Sequence, residues 1–270
     1  MKSHLKGCFL GFILIAAFLF SAFSLAEEKT RYRLIQLFPE DAAIVPTQWW
    51  EAQIRFISDG QYRSANIPDS DTFVLSPIVA FSLKDDLEVG AILSIENIDY
   101  DWKFKGDDSS SGIADTDIYV KYRIVKDPAD FTLGAVATLP TGDEDEGRGA
   151  GKFNVELFGS GRKSMKDFTI AGVFGFRLNR DATILEIDLD AKTSFILGGG
   201  IIYPFSDTLA FTGELNIETE RYDDMDADIR VTPGIQFNAF KNTVIRGGIG
   251  LGLADGAPDF EIIASYVYTF

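Results

Sequence analysis

The chain has 270 residues and is strongly acidic, with 41 Asp and Glu against 25 Lys and Arg and a formal net charge of −16. A chain this negative repels nucleic acid, so binding to DNA or RNA is not expected. The single cysteine, Cys8, and the single histidine, His4, exclude a disulfide framework and a zinc site built on these residue types.

The N-terminus has the three parts of a secretory signal peptide. Lys2 and Lys6 make a positive start, residues 8–20 form an apolar core, and residues 24–26 (SLA) offer small side chains to a signal peptidase. The core is short for a membrane-spanning helix, which needs ~20 residues, and this disfavours a retained anchor. Lipoprotein processing is also disfavoured, because the apolar stretch follows Cys8 instead of ending there. We therefore expect residues 1–26 to be a cleaved signal peptide.

Residues 27–48 show no clear strand pattern. Their apolar stretch, Tyr32 to Phe38 (YRLIQLF), fits a periplasmic arm, a short plug, or a helix at the mouth of a barrel. The sequence does not choose among these three, and the expectation for 27–48 is an N-terminal periplasmic arm or plug.

From residue 49 to residue 270, the sequence repeats about ten residues of period-2 alternation followed by turn residues. In the last segment, Asp259–Phe270, an unbroken apolar face alternates with a face that contains Glu261, Ser265 and Thr269. Together with weaker, glycine-rich repeats this gives about twelve strands, an even number within the range of single-chain outer-membrane barrels.

The connections between these strands alternate in length. The short turns are residues 83–86, 126–130, 164–167, 204–207 and 239–242. The longer links are residues 59–71, 101–111, 141–151, 179–188, 222–226 and 254–258. Short turns on one side and long loops on the other are typical of an up-and-down transmembrane barrel. Both ends of the barrel sequence would then lie on the short-turn side, the periplasm.

The distribution of charge favours a barrel in lipid over a soluble one. In the clearer strands the charges share one face, and the other face is apolar. A small soluble barrel would have an apolar interior and a charged exterior, so a lipocalin-like barrel or a secreted sandwich is disfavoured. In lipid every backbone polar group must be paired, which a closed sheet achieves. We therefore predict an all-β fold, an antiparallel up-and-down transmembrane β-barrel of about 12 strands over residues 49–270.

Two stretches resemble a known family. Residues 112–124 (GIADTDIYVKYRI) and 139–151 (LPTGDEDEGRGAG) are similar to the outer-membrane family labelled for the meta-pathway of phenol degradation. The matching positions are Asp115, Lys121, Tyr122, Arg123, Pro140, Thr141, Gly142 and Asp143, while Ala114 stands where a second glycine is common. The resemblance implies an outer-membrane protein involved in solute passage, and it does not establish phenol as the solute.

The polar strand faces predict a lumen of mixed charge with an acidic excess. A ring of carboxylates would attract cations and favour a pore for cations or neutral solutes. The alternative is a set of cross-strand ion pairs that fill a narrow, closed interior. Apolar lumen residues would leave room for a hydrophobic solute; they are Val136, Phe158, Ile202 and Val267. The candidate lumen-lining charges are Glu51, Arg55, Glu88, Glu96, Asp117, Lys121, Arg123, Glu156, Lys192, Glu214, Glu218, Arg230, Arg246 and Glu261.

The sequence offers little for catalysis. Outer-membrane barrel enzymes use a histidine base, and none would remain after cleavage. A Ser–Lys dyad is conceivable, but Glu214 and Glu218 would lie ~13 Å apart along a strand, too far for a glycosidase pair. The acidic runs 143–148 and 223–228 lack the spacing of a calcium loop, and we interpret them as solvated loops that divalent ions bridge to lipopolysaccharide. No catalytic residue, cofactor or metal site is predicted.

The C-terminal residues Tyr266, Tyr268 and Phe270 share one face and look like the signal read by the barrel-assembly machinery. The expected partners are therefore that machinery, outer-membrane lipid, lipopolysaccharide and a small solute. The predicted function is a passive channel or transporter for small solutes, aromatic or hydrophobic ones included, in the outer membrane of a Gram-negative bacterium. The alternative is a non-conducting structural or adhesion-type barrel whose acidic loops bind ions or surface partners.

Overall fold

The computed structural model describes residues 32–45, 47–59, 68–102, 106–223 and 225–270. The predicted signal peptide, residues 1–26, lies outside the described residues. The strands are β1 (Gln48–Asp59), β2 (Asp69–Lys84), β3 (Leu87–Ile92), β4 (Ile95–Trp102), β5 (Gly106–Ile113), β6 (Thr116–Val125), β7 (Asp130–Leu139), β8 (Asn154–Ser164), β9 (Thr169–Leu178), β10 (Ala182–Ile184), β11 (Ile187–Leu189), β12 (Thr193–Pro204), β13 (Leu209–Glu218), β14 (Asp228–Phe240), β15 (Thr243–Gly252) and β16 (Phe260–Thr269). Within these described ranges, no helix is long and apolar enough to cross a membrane.

The strands close into one antiparallel barrel, because β1 pairs with β16 on one side and with β2 on the other. Two of its twelve strands are interrupted: β3 and β4 follow each other along β2, and β5 and β6 make up the next strand. The short hairpin β10–β11 stands apart from the barrel, in the connection between β9 and β12. The predicted antiparallel barrel of about 12 strands is confirmed.

Side-chain exposure alternates along the strands in the sense expected of a barrel in lipid. In β13, Thr212 and Glu214 are buried inside the barrel, whereas Phe211 and Leu215 are 43% and 45% exposed on the outside. An exterior of large apolar side chains around a polar interior is stable where the surrounding solvent is lipid. The period-2 pattern of the sequence therefore sets which face of each strand meets the membrane.

Short and long connections lie at opposite ends of the barrel, which we call the turn end and the loop end. Tight turns follow β2, β6, β8, β12 and β14, while the loop end carries longer connections such as 140–153 and 179–192. The N–H of Phe270 donates to the carbonyl oxygen of Gln48 at 3.2 Å. The first and last residues of the barrel sequence therefore meet at the turn end.

The link expected over residues 101–111 is wrong in its extent. β4 continues to Trp102, and β5 starts at Gly106 and pairs with β4 along its full length. The polar stretch of β5 has no apolar alternation, because this hairpin projects at the loop end, where neither face needs to meet lipid.

Residues 32–45, which we call the inner segment, fold inside the barrel and form its core. Leu34, Leu37 and Phe38 are at most 7% exposed. They belong to one cluster with inward-facing strand residues, among them Val136, Phe158, Ile202 and Val267. The sequence predicts that these four residues leave room for a hydrophobic solute. The inner segment occupies that room beside Phe158, Ile202 and Val267, whereas Val136 also lines an open cavity.

Candidate functional site

Inside the barrel, Phe38 of the inner segment stacks on Trp49 of β1. The ring centroids are 5.7 Å apart, and the ring planes differ by 20°. The guanidinium carbons of Arg33 and Arg246 lie between 5.0 and 5.6 Å from the centroids of these rings. Such cation–π contacts contribute ~1–2 kcal/mol when they are shielded from water. The aromatic pair and its two arginines fill the interior beside the start of β1.

Buried ion pairs join the inner segment to the turn-end half of the wall. Arg33 pairs with Glu88 at 3.2 Å, and Glu88 also binds Lys121 at 3.3 Å. Asp41 pairs with Arg162 at 2.8 Å. Removing one partner of such a pair costs ~3–5 kcal/mol, because the other charge is left buried and unpaired. These contacts hold both ends of the inner segment against the barrel.

Asp41 lies outside the membrane-spanning strands, and its surroundings favour the ionised form. Burial alone would raise the pKa of its carboxyl. The positive charges of Arg162 and Arg33 and the N–H groups of Ala43 and Leu34 have a larger, opposite effect, so the pKa of Asp41 lies well below its usual range. Asp41 is therefore a charged anchor throughout the physiological pH range.

Glu214 of β13 binds the backbone of the inner segment at mid-lumen. Its carboxylate accepts the N–H groups of Ile35, Gln36 and Leu37 at 2.5, 2.9 and 3.3 Å. The three donors converge because the chain bends at these residues. Each would cost ~1–3 kcal/mol if it were left buried without an acceptor. Glu214 thus accepts backbone N–H groups of the inner segment that pair with no described strand.

Toward the loop end, the wall charges form a second network. Its pairs are Arg177 with Glu156 at 2.6 Å and with Glu218 at 2.9 Å, and Glu261 with Arg55 and Arg230 at 3.2 Å each. The side chains of Arg177, Arg55 and Arg230 are 20–25% exposed, in contrast to the fully buried Arg33 and Arg246. The loop-end half of the lumen is therefore more open to solvent than the turn-end half.

Two cavities separate the inner segment from this half of the wall. The larger, which we call the outer chamber, has a volume of about 240 Å³ and lies against Phe38 and Glu40. Its wall residues include Val74, Ile92, Glu96, Asp117, Val136, Glu156 and Arg177. The second has a volume of about 120 Å³, and it shares Glu40, Glu156 and Arg177 with the outer chamber. An open cleft of about 670 Å³ lies at the loop end among acidic residues of β2 and β4.

The remaining candidate charges divide between the wall and the barrel ends. Glu51 pairs with Arg246 at 2.5 Å inside the barrel, and Glu96 and Asp117 line the outer chamber. Arg123 lies at the turn end beside Asp86 and Asp130, and Lys192 lies at the loop end beside Glu220 and Asp223. Ion pairs thus fill the turn-end half of the lumen, while open space remains in the loop-end half.

The sequence does not point to Arg33, Asp41 or Arg162 as lumen residues. Gln236 donates to the carbonyl oxygen of Arg33 at 2.6 Å, which adds another contact between wall and inner segment. A signal for this packing is present, since several strands carry large apolar side chains on the otherwise polar inner face. Such side chains need an apolar partner, and the stretch Tyr32 to Phe38 supplies it.

The residues that carry the family resemblance fasten a connection to the wall. Asp115, at the break between β5 and β6, accepts the N–H groups of Gly142 at 3.0 Å and Ala150 at 2.8 Å. Gly149 has a φ of +116°, and a Cβ there would lie 2.4 Å from the Asp115 carboxyl carbon. Only glycine fits this turn. We call this arrangement the Asp115 latch; it ties the connection 140–153 to the strand break.

The predicted assembly residues form an aromatic group at the seam between β1 and β16. Tyr268 and Phe270 meet edge-on, with ring centroids 4.7 Å apart, and Phe270 also meets Trp50 at 6.4 Å. Tyr266 faces outward and is 41% exposed. The group therefore lies at the turn end, where the barrel closes.

The comparisons with known proteins agree on the type of barrel. A family model described as "Putative MetA-pathway of phenol degradation" matches residues 43–270. No curated protein matches the chain. An outer-membrane channel from Pseudomonas putida F1 has a similar structure, with a TM-score of 0.66 at 15% identity over 88% of this chain and 100% of the channel.

Two other solved barrels are similar at lower scores. The β domain of the Bordetella autotransporter BrkA has a TM-score of 0.55 at 14% identity, over 83% of this chain and 100% of the domain. The monoaromatic hydrocarbon channel CymD has a TM-score of 0.53 at 9% identity, over 92% of this chain and 95% of that one. At these identities the likeness concerns the fold alone.

Proposed function

The chain belongs to the family described as "Putative MetA-pathway of phenol degradation", whose model covers the whole barrel, and from this premise we propose that it is an outer-membrane channel for the passive passage of small solutes. The observation that carries the proposal is the divided lumen. A chamber open toward the loop end leads down to the inner segment, and the contacts of that segment restrict the way through the turn-end half.

Aromatic or hydrophobic compounds are included among the proposed solutes. The chamber wall supports this, since Val74, Ile92 and Val136 place apolar side chains beside the charged ones. One of the similar structures is described as a monoaromatic hydrocarbon channel, and this agrees with the proposal at the level of the fold. The proposed passage is slow or gated, because Phe38 stacks on Trp49 and buried ion pairs join the inner segment to the turn-end half of the wall.

The proposal places the loop end at the cell surface and the turn end in the periplasm. Residues 1–26 would direct export and be removed, and the barrel-assembly machinery would insert the barrel through its C-terminal aromatic residues. Lipid would then surround the apolar exterior, and lipopolysaccharide would meet the acidic connections. No described group in the lumen suggests catalysis, and a role as an enzyme is not part of the proposal.

The filled turn-end half supports a second candidate, a structural or adhesion-type barrel that does not conduct. In this case the interior ion pairs would serve stability, and the acidic loop end would bind ions or a surface partner. The two candidates differ in one property that can be measured, which is the passage of ions through the isolated protein.

Single-channel recording in a planar bilayer separates them. The mature protein is refolded and inserted, and reversal potentials are read in a salt gradient. Under the channel proposal, we expect discrete steps with a preference for cations, because carboxylates exceed arginines in the outer chamber. A silent bilayer with confirmed insertion would favour the structural barrel.

A further inference from the structure

The outer chamber has an excess of carboxylates over available cations. It is lined by Glu40, Glu96, Asp117 and Glu156, and by Arg55 and Arg177. Both arginines are already engaged, since Arg177 binds Glu156 and Glu218, and Arg55 binds Glu261. Among the described residues, no salt bridge joins Glu40, Glu96 or Asp117 to a positive side chain. The chamber therefore holds more carboxyl groups than positive side chains that pair with them.

Glu156 adds an independent observation. It is 3% exposed, and its Oε2 accepts a hydrogen bond from Arg177 at 2.6 Å. Its Oε1 is buried and has no hydrogen-bond partner within the described part of the chain. A buried carboxylate oxygen without a donor costs ~1–3 kcal/mol. The geometry thus leaves a place for a donor from outside the chain, in the cavity that Glu156 lines.

Glu40 belongs to the turn at residues 38–40 of the inner segment. It lines both cavities together with Glu156. Burial and the Glu156 carboxylate raise the pKa of Glu40, which means that the two carboxylates disfavour each other's charge. A cation between them would remove that conflict and supply the donor that Glu156 lacks.

The arrangement fits an organic cation better than a metal ion. No group of three described carboxylate, histidine or cysteine side chains converges closely enough to hold a metal. Hard divalent ions need several oxygen ligands around one point. An ammonium group needs two or three acceptors, and its apolar body could lie along Val74, Ile92 and Val136 on the chamber wall.

We propose that the outer chamber binds a small organic cation, with its ammonium group between Glu40 and Glu156 and its apolar body against the wall. The proposal that this cation is a transported solute rests on the proposed channel function. It names the solute class that the chamber would hold before passage, namely small amines with an apolar or aromatic body.

Equilibrium binding to the refolded mature protein in zwitterionic micelles tests the site without requiring conduction. Benzylammonium chloride is titrated calorimetrically, and benzyl alcohol and benzoate serve as neutral and anionic probes of similar shape. We expect benzylammonium to bind at least about tenfold more tightly than either, as one charge contact of ~1.4 kcal/mol would produce. The variants Glu40→Gln and Glu156→Gln should each lose about tenfold in affinity.

Glu220→Gln is the matched control, because it removes one carboxylate at the loop end but outside the chamber. Its affinity should equal that of the wild type. Equal binding of benzyl alcohol, or unchanged affinity in both chamber variants, would overturn the proposal. It would also fail if Mg²⁺ bound with the same dependence on Glu40 and Glu156 while benzylammonium did not. Retained binding in a barrel that is silent in bilayers would reject the channel function and leave the site intact.

Discussion

Glu214 and Glu156 both point into the barrel, yet their surroundings give them different roles. Glu214 accepts three N–H groups from the inner segment and is fully engaged by protein. One oxygen of Glu156 accepts a hydrogen bond from Arg177, and the other is buried and has no hydrogen-bond partner among the residues that the structure describes. The residue type is the same, and the difference comes from what the inner segment places opposite each of them. Sequence patterns identify such inward carboxylates, but they do not show which of them bind solute.

We predict that Glu214→Ala loosens the inner segment. Three buried N–H groups lose their acceptor, at a cost of ~1–3 kcal/mol each if none is rehydrated. In bilayer recordings, the variant should show more frequent openings or larger steps than the wild type. Glu186→Ala, in the exposed hairpin β10–β11, is the control and should leave the recordings unchanged. A Glu214→Ala barrel with wild-type conductance would mean that these hydrogen bonds do not restrain the inner segment.

The lowered pKa of Asp41 makes the stability of the folded protein depend on pH in the acid range. The pKa of Asp41 is lower in the folded protein than in the unfolded chain. Its stabilising contribution is therefore fully present above the unfolded pKa of ~3.9, and it is lost as the pH falls through the lower folded pKa. We expect Asp41→Asn to lower the unfolding temperature at pH ~7, and the gap from the wild type to close in strong acid. A gap that stays constant down to pH ~2 would contradict this account.

At the scale of elements, the sequence predicts the strands that cross lipid, but it does not predict the strand that lies outside the lipid. The strand β13 alternates apolar and polar residues because one of its faces meets lipid and the other meets the lumen. The polar run GDDSSSG predicts a loop, but it forms the strand β5 (Gly106–Ile113). This strand pairs with β4 where neither of its faces has to meet lipid. Its sequence therefore has no period-2 alternation of apolar and polar residues.

The sequence does not choose among an arm, a plug and a helix for the inner segment, and the reason is related. Its conformation has little regular secondary structure, and it is stabilised by distant partners such as Glu88, Arg162 and Glu214. These contacts join residues that are 55 to 179 positions apart in the sequence, so they have no local pattern. The filled lumen and the outer chamber could therefore not be predicted from the sequence.

The Asp115 latch predicts how the connection 140–153 responds to mutation. Replacing Asp115 by Ala leaves the N–H groups of Gly142 and Ala150 without their acceptor. We expect faster cleavage of this connection in limited proteolysis, by about tenfold for a loss of ~1.4 kcal/mol, with the barrel itself intact. Asp145→Ala, in the same connection but exposed, should be cleaved at the wild-type rate. Equal rates for the two variants would show that the latch does not hold the loop.

At the scale of the whole molecule, the barrel and its contents have separable roles. Because β1 and β16 close the barrel, every wall strand is hydrogen-bonded to other wall strands on both sides and needs no backbone pairing from the inner segment. The inner segment adds a packed core to the turn-end half and leaves the loop-end half open. The sequence allows either buried ion pairs or an open acidic space in the lumen. The divided lumen contains both, the ion pairs in the turn-end half and the open space in the loop-end half.

The central claim is that the inner segment restricts a channel, and the most direct test is the conductance of a barrel without it. Deleting residues 32–45 exposes the charges of Glu88, Arg162 and Glu214 to water in the lumen, which can solvate them, so the wall should still fold. Heat-modifiable migration on a gel confirms folding before the recording. We predict that the deletion variant conducts several-fold more than the wild type in the same planar bilayer. Equal conductance of two folded barrels would contradict the account.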